Sequence, residues 1–464
     1  MKSVSQLAEA IQRVLTTRAK AIERETGFVQ RSTAQLDGPS FAQTTVLCWM
    51  DEPEASYSQL QHVAASLGVR VSNQALEQRF GPASATFLQR LLEEAVGEVV
   101  SSQAQAPELI GRFNGVYLQD GSLITLPAQL AQGWPGWGGN TPKAGQSSMR
   151  VQVRLELAQG KMQGPWLQAG RQAERSGPAV EKPLPKGCLY NVDSGYFTLK
   201  EMRHHDQQGH FWLTQAKSHL KVYDRSGRCW DLLDLLEAQG TDRIDLEVQA
   251  GVKERVPMRL LAVRLSPQQV QARRQRANTS WESKPKGCRP PGKGRRSAQG
   301  QRQRWRKNRR VSPARQRLME WTVLLTNVPP ELLSLDEALV LARCRGPLEL
   351  LWKLWKAQGK LDIWRSMKPY RVLTEVMAKL LGLLITHWLT VLGCWQAPNR
   401  SLVKAKQVVA WLAPGLALAL AGEVAMERVL ERTLSTMQRG CTINSRRKRP
   451  STFQLVDNPK LNSS

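Results

Sequence analysis

Between Arg273 and Arg317 the chain carries 17 Lys or Arg against one acid, Glu282, with several Pro and Gly among them. Nothing in that stretch can bury a core. A fold must therefore be built from what lies on either side, and the segment itself is expected to be disordered without a ligand. It supplies +16 of the net +27. Charge so large and so local points to a polyanion, because each base set against a phosphate releases condensed counterions. A solubilising charge run is the plainer explanation. Trp281 and Trp305, interleaved with the bases in a chain that is basic throughout, favour contact with a phosphate backbone.

The rest is able to fold. Hydrophobic residues make up 41 % of 464 residues, and the length corresponds to about three domains. Attraction to a membrane surface would also explain the charge, so the apolar runs matter. Met1 to Leu15 is an amphipathic helix pattern without the apolar centre of a signal peptide. Val372 to Leu392 carries Glu375, Lys379 and His387, and Val408 to Gly422 contains Pro414 and Gly415 and falls short of the ~20 residues of a spanning helix. Both are expected to be buried helices of a soluble domain, with no membrane partner. Seven scattered cysteines without a CxxC pair predict reduced thiols in a cytosol and no structural zinc.

Residues 1–105 are helical and polar in pattern. Within them Tyr57 to Phe80 has the spacing of a helix-turn-helix, with Leu60, Val63, Ala64 and Leu67 on one stripe, Gly68 at the turn and Ser72 capping a second helix. A plain helical hairpin fits equally well. As a reader of base edges, the second helix would offer Asn73, Gln74, Gln78 and Arg79. From residue 112 strands take over. Val116 to Pro127 reads as a strand, a glycine turn and a second strand, and Met149 to Leu157 alternates strictly. Cys188 to Asp193 is a short strand ending in an acid. A helix over Ser194 to Gln208 and a strand over His210 to Lys217 follow, then strands at Arg243 to Gln249 and Met258 to Leu265. Strands interleaved with helices predict an α/β layer structure. From Trp321 to the end the pattern is helical again, closing on the basic run Arg446 to Arg449.

Three acids carry the candidate chemistry. On the helix around Glu349, Arg345, Glu349, Lys353 and Lys356 share one sector at ~100° per residue, with apolar residues over the remaining circumference. Alone, that is a Glu–Lys pair of the kind found on many solvated helix faces. Asp120, however, lies within a strand, an awkward place for an unpaired carboxylate, and Asp193 ends one. Brought together, three carboxylates can bind two hard cations such as Mg²⁺ or Mn²⁺ and support in-line phosphoryl transfer. His204 and His205 are expected at the surface, and Gly138 and Gly139 match no phosphate-cradling motif.

From about residue 20 to 395 the sequence resembles the DDE transposases of bacterial insertion sequences, specifically family four, which includes the Tn-five type. The resemblance is carried by GFVQRSTAQLDGPSFAQ, VSNQALEQRF, DGSLITLP, DSGYF and the block from Trp321. That family's third-acid signature is Tyr, two residues, Arg, three residues, Glu, six residues, Lys, and Arg345, Glu349 and Lys356 match it in spacing. The resemblance implies an RNase H-like catalytic core with a mostly β insertion, flanked by helical N- and C-terminal regions. It divides the chain into a helical DNA-binding region (1–105), the first part of the core (106–220), the insertion with the basic segment (221–320), the second part of the core (321–395) and a helical C-terminal region (396–464). It further implies metal ligands Asp120, Asp193 and Glu349, and phosphate contacts from Arg345, Lys353 and Lys356. Trp321, 28 residues before the acid, matches a Trp that stacks on a flipped base, and reads equally well as a core Trp opening a strand. The implied function is binding of terminal inverted repeats, metal-dependent strand cleavage and strand transfer. The partners implied are double-stranded DNA of the element ends and target, and a second copy of the chain, in a bacterial cytoplasm at the nucleoid.

Two positions depart from the signature. Ala342 stands where the Tyr would be, and Gly346 replaces the Trp that usually follows the Arg. Pro347 falls in the first helical turn, where it is tolerated. The loss of a phosphate-positioning hydroxyl keeps open a catalytically impaired relative that acts as a DNA-binding protein.

Overall fold

The computed structural model describes residues 2–31, 35–98, 100–102, 105–136, 147–282, 313–395, 397, 399–443 and 450–458. The central part of the basic segment, the loop with Gly138 and Gly139, and the run Arg446 to Arg449 lie outside the described residues. The ends of the basic segment expected to be disordered are helical, over Pro267–Glu282 and Pro313–Leu318.

Ten strands form one sheet: β1 (Val116–Thr125), β2 (Ser148–Glu156), β3 (Met162–Ala169), β4 (Leu189–Val192), β5 (Phe211–Gln215), β6 (Lys221–Tyr223), β7 (Cys229–Asp231), β8 (Arg243–Ala250), β9 (Val256–Arg264) and β10 (Trp321–Thr326). Their order is β3-β2-β1-β4-β5-β10-β9-β8-β6-β7. β1, β4 and β5 run parallel, β2 and β3 extend one edge antiparallel, and the whole is an α/β fold with an RNase H-like core.

The β insertion does not form a sheet of its own. β10 pairs antiparallel with β5 on one side and β9 on the other, so the strands of the insertion continue the core sheet. Buried Arg259 of β9 clips the returning chain in place: it donates to the carbonyls of Val328 at 2.7 Å and Leu333 at 3.0 Å and pairs with Asp245 at 2.6 Å. A second correction concerns β1. The expected glycine turn at Gly121 is absent, because Gly121 pairs with Gln152 and the strand runs unbroken from Tyr117 to Thr125 against β2. Alternating residues on a glycine-containing strand cannot by themselves distinguish a hairpin from one long strand.

The terminal helices, expected as two separate flanks, share one body around Pro369–Cys394. That helix packs against Pro82–Val96 and Gly38–Asp51 from the N-terminal side and against Leu402–Leu420 and Met426–Gly440 from the C-terminal side. Both Pro369–Cys394 and Leu402–Leu420 are long and apolar enough to cross a membrane, but 89 % of the most apolar window of the first is buried inside the protein. Its charges are buried with it. Glu375 accepts from Arg371 at 2.6 Å and from Lys379 at 2.7 Å, and Lys379 also donates to the carbonyls of Lys360 and Ile363. Arg371 lies over Trp49 and Phe80, which ties the N-terminal helices to the hub. Leu402–Leu420 departs from the expectation of burial: Trp411 is 78 % exposed on its outer face.

The helix pair expected over Tyr57 to Phe80 is present as Tyr57–Ser66, capped by Ser56, and Asn73–Arg79, capped by Ser72. Arg79 is not free to read bases. Its guanidinium donates to the carbonyls of Phe28 and Leu36 and lies 4.4 Å from the Phe28 ring centroid. Asn73 is bonded to Ser58, and Gln74 and Gln78 remain exposed.

Removing Glu375 would strand Arg371 and Lys379 in the core. Glu375→Ala is expected to lower unfolding free energy by about 3–5 kcal/mol in urea titrations, the cost of an uncompensated buried charge.

Candidate active site

The parallel register of β1 and β4 pairs Gln119 with Val192, so the next residues, Asp120 and Asp193, stand side by side at the end of the strand pair. Asp193 is exposed, and the Ser194 backbone N–H donates to its carboxylate at 2.7 Å. Asp120 is mostly buried. Burial pushes its carboxyl up from the ordinary range, the Arg345 guanidinium opposes that, and the charge of Asp193 adds to it.

The helix Gly346–Lys353 packs on β1, with Arg345 as its N-cap and Pro347 in its first turn. Arg345 reaches Asp120 at 3.9 Å. Trp352 turns its indole N–H toward the same carboxyl without closing a hydrogen bond of normal geometry. Lys356, one turn further on, donates to the carbonyl of Leu123 at 3.1 Å. Arg345, Trp352 and Lys356 therefore face β1, and Glu349 stands four residues after Arg345 and three before Trp352, beside that stripe. The stripe differs from the expected one. Trp352 faces the strand, whereas Lys353 is exposed. Beyond Lys353 the helix continues as a π-helical turn, Leu354–Gln358, which contains Lys356.

Glu349 itself is exposed at the rim. Among the described residues, no three acids are gathered closely enough to ligate one ion directly. The donor set still fits a hard divalent cation: two adjacent carboxylates, a third on the facing helix, and oxygen in every case.

Trp321 opens β10 and is 4 % exposed, its ring packed in the core of the sheet's second half with Arg264 over one face. The structure thus does not bring it to the acids. His205 corrects the surface expectation: it is largely covered, its Nδ1 lies 3.2 Å from Nδ1 of His210, and burial holds its pKa down at about 4. His204 is exposed.

Three contributors escaped the sequence. Buried Asn191, on the Asp193 strand, donates to the carbonyl of Leu341 at 2.6 Å and so fixes the end of the helix Leu335–Arg343 that leads into Arg345. Glu174, ion-paired to Arg150 of β2, has its carboxyl pushed up first by burial, while Arg150 pulls it down and the charges of Asp120 and Asp193 push it up further. Tyr196 is 4 % exposed, and its hydroxyl has no hydrogen-bond partner among the described residues. Asn191 and Tyr196 lie within five residues of Asp193, which was a usable signal. Glu174, at the start of the 3-10 turn Glu174–Ser176, offered none.

Gly346 also acquires a reason. A Cβ there would come within 3.0 Å of Thr452 Oγ1, in the C-terminal helix Thr452–Asp457, which packs against Leu335–Arg343. A side chain longer than Ala would press on that helix.

The family described as Transposase DDE domain matches residues 112–385. Over 388 residues the chain is 23 % identical to the transposase for insertion sequence element IS231C of Bacillus thuringiensis subsp. berliner, covering 78 % of this chain and 75 % of that protein. It is 22 % identical over 402 residues to the IS231F transposase of subsp. israelensis, covering 81 % and 78 %. With the transposase of element IS1151 of Clostridium perfringens the identity is 21 % over 391 residues, covering 79 % and 76 %.

Two outcomes follow from this geometry. Because the folded state raises the Asp120 pKa, ionising Asp120 costs stability as pH rises from the ordinary carboxylate range through the raised value. Asp120→Asn should therefore melt higher than the unmutated protein at neutral pH, and the gain should vanish at about pH 3, where both side chains are uncharged. Gly346→Trp should free the helix Thr452–Asp457, read as faster proteolysis of the C-terminus with the remainder of the chain intact.

Proposed function

The chain belongs to the DDE-domain transposases, and from that premise we propose that it is the transposase of an insertion sequence of family four, the Tn-five-like kind. It binds the terminal inverted repeats of its element, cleaves a strand at each end and joins the freed 3′ ends to target DNA. The observation that carries this reading is the side-by-side placement of Asp120 and Asp193 beneath a helix that sets Arg345 against Asp120 and carries Glu349 exposed at the rim.

Asp120 and Asp193 would hold Mg²⁺ or Mn²⁺, two ions, with Glu349 contributing from the facing helix. Bound there, such ions supply activation of the attacking oxygen and charge stabilisation of the leaving one. The chain's own side chains do the positioning. Arg345 has a buried Nη1 without a hydrogen-bond partner among the described residues, next to Asp120, where it can take a phosphate oxygen of the scissile strand. Exposed Lys353 and half-buried Lys356 extend that contact along the helix. Such chemistry is chiefly orientation and charge stabilisation, so few residue types are needed. Buried Trp321 belongs to packing in this reading.

Bridging two element ends calls for a homodimer. The exposed apolar face of Leu402–Leu420, with Trp411, is where the second copy would seat. The protein would act in a bacterial cytoplasm, on nucleoid DNA.

The test is incubation with DNA carrying the element ends and Mg²⁺. Glu349→Gln should lose at least about a hundredfold in cleavage while holding DNA as before in a gel shift. Lys353→Ala should lower the slope of log affinity against log salt by about 1, without altering which sequence is preferred. Binding by the unmutated protein with no metal-dependent cleavage would identify instead the DNA-binding relative that Ala342 and Gly346 keep open.

A further inference from the structure

Two lysines are buried among the described residues, and they are satisfied very differently. Lys379 has a carboxylate, Glu375, and two backbone carbonyls. Lys406, in the helix Leu402–Leu420, is 8 % exposed, yet it takes part in no ion pair or hydrogen bond among the described residues. Burial alone pulls its pKa down to about 8, so at neutral pH it still carries its charge.

Lys406 lines a cavity of about 30 Å³. Pro347 and Trp355 form one wall, from the inner side of the helix that carries Glu349 and from the π-helical turn that continues it. Thr386, His387 and Thr390 of Pro369–Cys394 form another, and Trp395 a third. The polar groups of these walls are already engaged. The Thr386 and Thr390 hydroxyls donate to the carbonyls of Gly382 and Thr386, each at 2.8 Å, and Trp395 Nε1 donates to that of Leu157 at 3.0 Å. His387 Nε2 lies 2.8 Å from the Gly160 carbonyl, and burial holds the ring neutral, with a pKa of about 4. No acid is among the residues that line the cavity.

A buried charge is costly unless it is paired, and water can solvate an ammonium without neutralising it. Whatever fills this cavity best therefore brings a negative charge. Its volume is about that of one water in the liquid, which admits a single-atom ion and excludes a phosphate or a carboxylate-bearing molecule. We propose that Lys406 and this cavity bind one monovalent anion of halide size. Seated there, the ion neutralises the ammonium and fills the gap between the helix that carries Glu349 and Leu402–Leu420. The site is separate from Asp120 and Asp193 and does not require their reading as cation ligands.

The experiment follows thermal melting of the full-length protein as chloride replaces gluconate at constant ionic strength. The unmutated protein should melt about 2 °C higher once chloride saturates the cavity. Lys406→Met, close in volume and uncharged, should lose that dependence and melt above the unmutated protein in gluconate. An equal chloride effect in Lys406→Met overturns the inference. A second measurement needs only the unmutated protein, and so holds even if the variant fails to fold. Chloride nuclear magnetic resonance should show excess line width that bromide removes and that gluconate, too large for the cavity, leaves in place. If gluconate removes all of it, or if there is none, chloride meets only the exposed basic surface and the inference is overturned.

Discussion

The parallel pairing of β1 with β4 is the constraint from which the candidate site follows. Backbone hydrogen bonds set the register at Gln119 and Val192, and that register leaves two carboxylates abreast at the strand ends. Two like charges so placed are unfavourable unless something offsets them. Arg345 does so at one side, from the N-cap of the helix laid along β1, and Arg150 lies nearby, neutralising Glu174. Asn191, one pleat before Asp193, holds the preceding helix end, so the same short strand sets both an acid and the approach of the helix carrying Glu349.

The rest of the molecule serves to hold that helix and strand together. Pro369–Cys394 gathers helices from both ends of the chain, and it buries the charged series Arg371–Glu375–Lys379, whose desolvation offsets much of its mutual attraction. Its value is in specificity of contact. Lys379 can be satisfied only if the carbonyls of Lys360 and Ile363 are delivered to it, and these belong to the segment that follows the Glu349 helix. The hub and the site are thereby joined by hydrogen bonds as well as by packing. The C-terminal helix at Gly346 adds a further tie, with Thr452 Oγ1 only 3.0 Å from where a Cβ on Gly346 would stand.

Strands with strict alternation or a clear apolar run were legible: β2, β5, β8 and β9 lie where periodicity places them, and β4 ends at the acid. The short strands β6 and β7 were not, because three residues carry no period to read, and β10, Trp321–Thr326, lies where a helical pattern was expected, since a short apolar run fits a strand as well as a helix. β3 was missed because Gly164, Pro165 and a run of polar residues mask its alternation. Side chains with two plausible uses divided by burial. Arg79 became a pin for Phe28 and Leu36, Trp321 became core, and His205 joined His210 inside, since nothing local distinguishes such residues from exposed ones.

What the sequence determined by itself was the inventory: three acids in order, bases four residues before and four and seven residues after the third acid on one helix, a basic segment unable to form a core, and a helix too rich in buried-type residues to stand alone. Local spacing suffices for these because they depend on neighbours along the chain. Only the tertiary structure decided that the insertion extends the core sheet and that the two helical ends form one body. Those pairings join residues far apart in the chain, where strand register and loop closure bring groups together and no periodicity in the sequence records it.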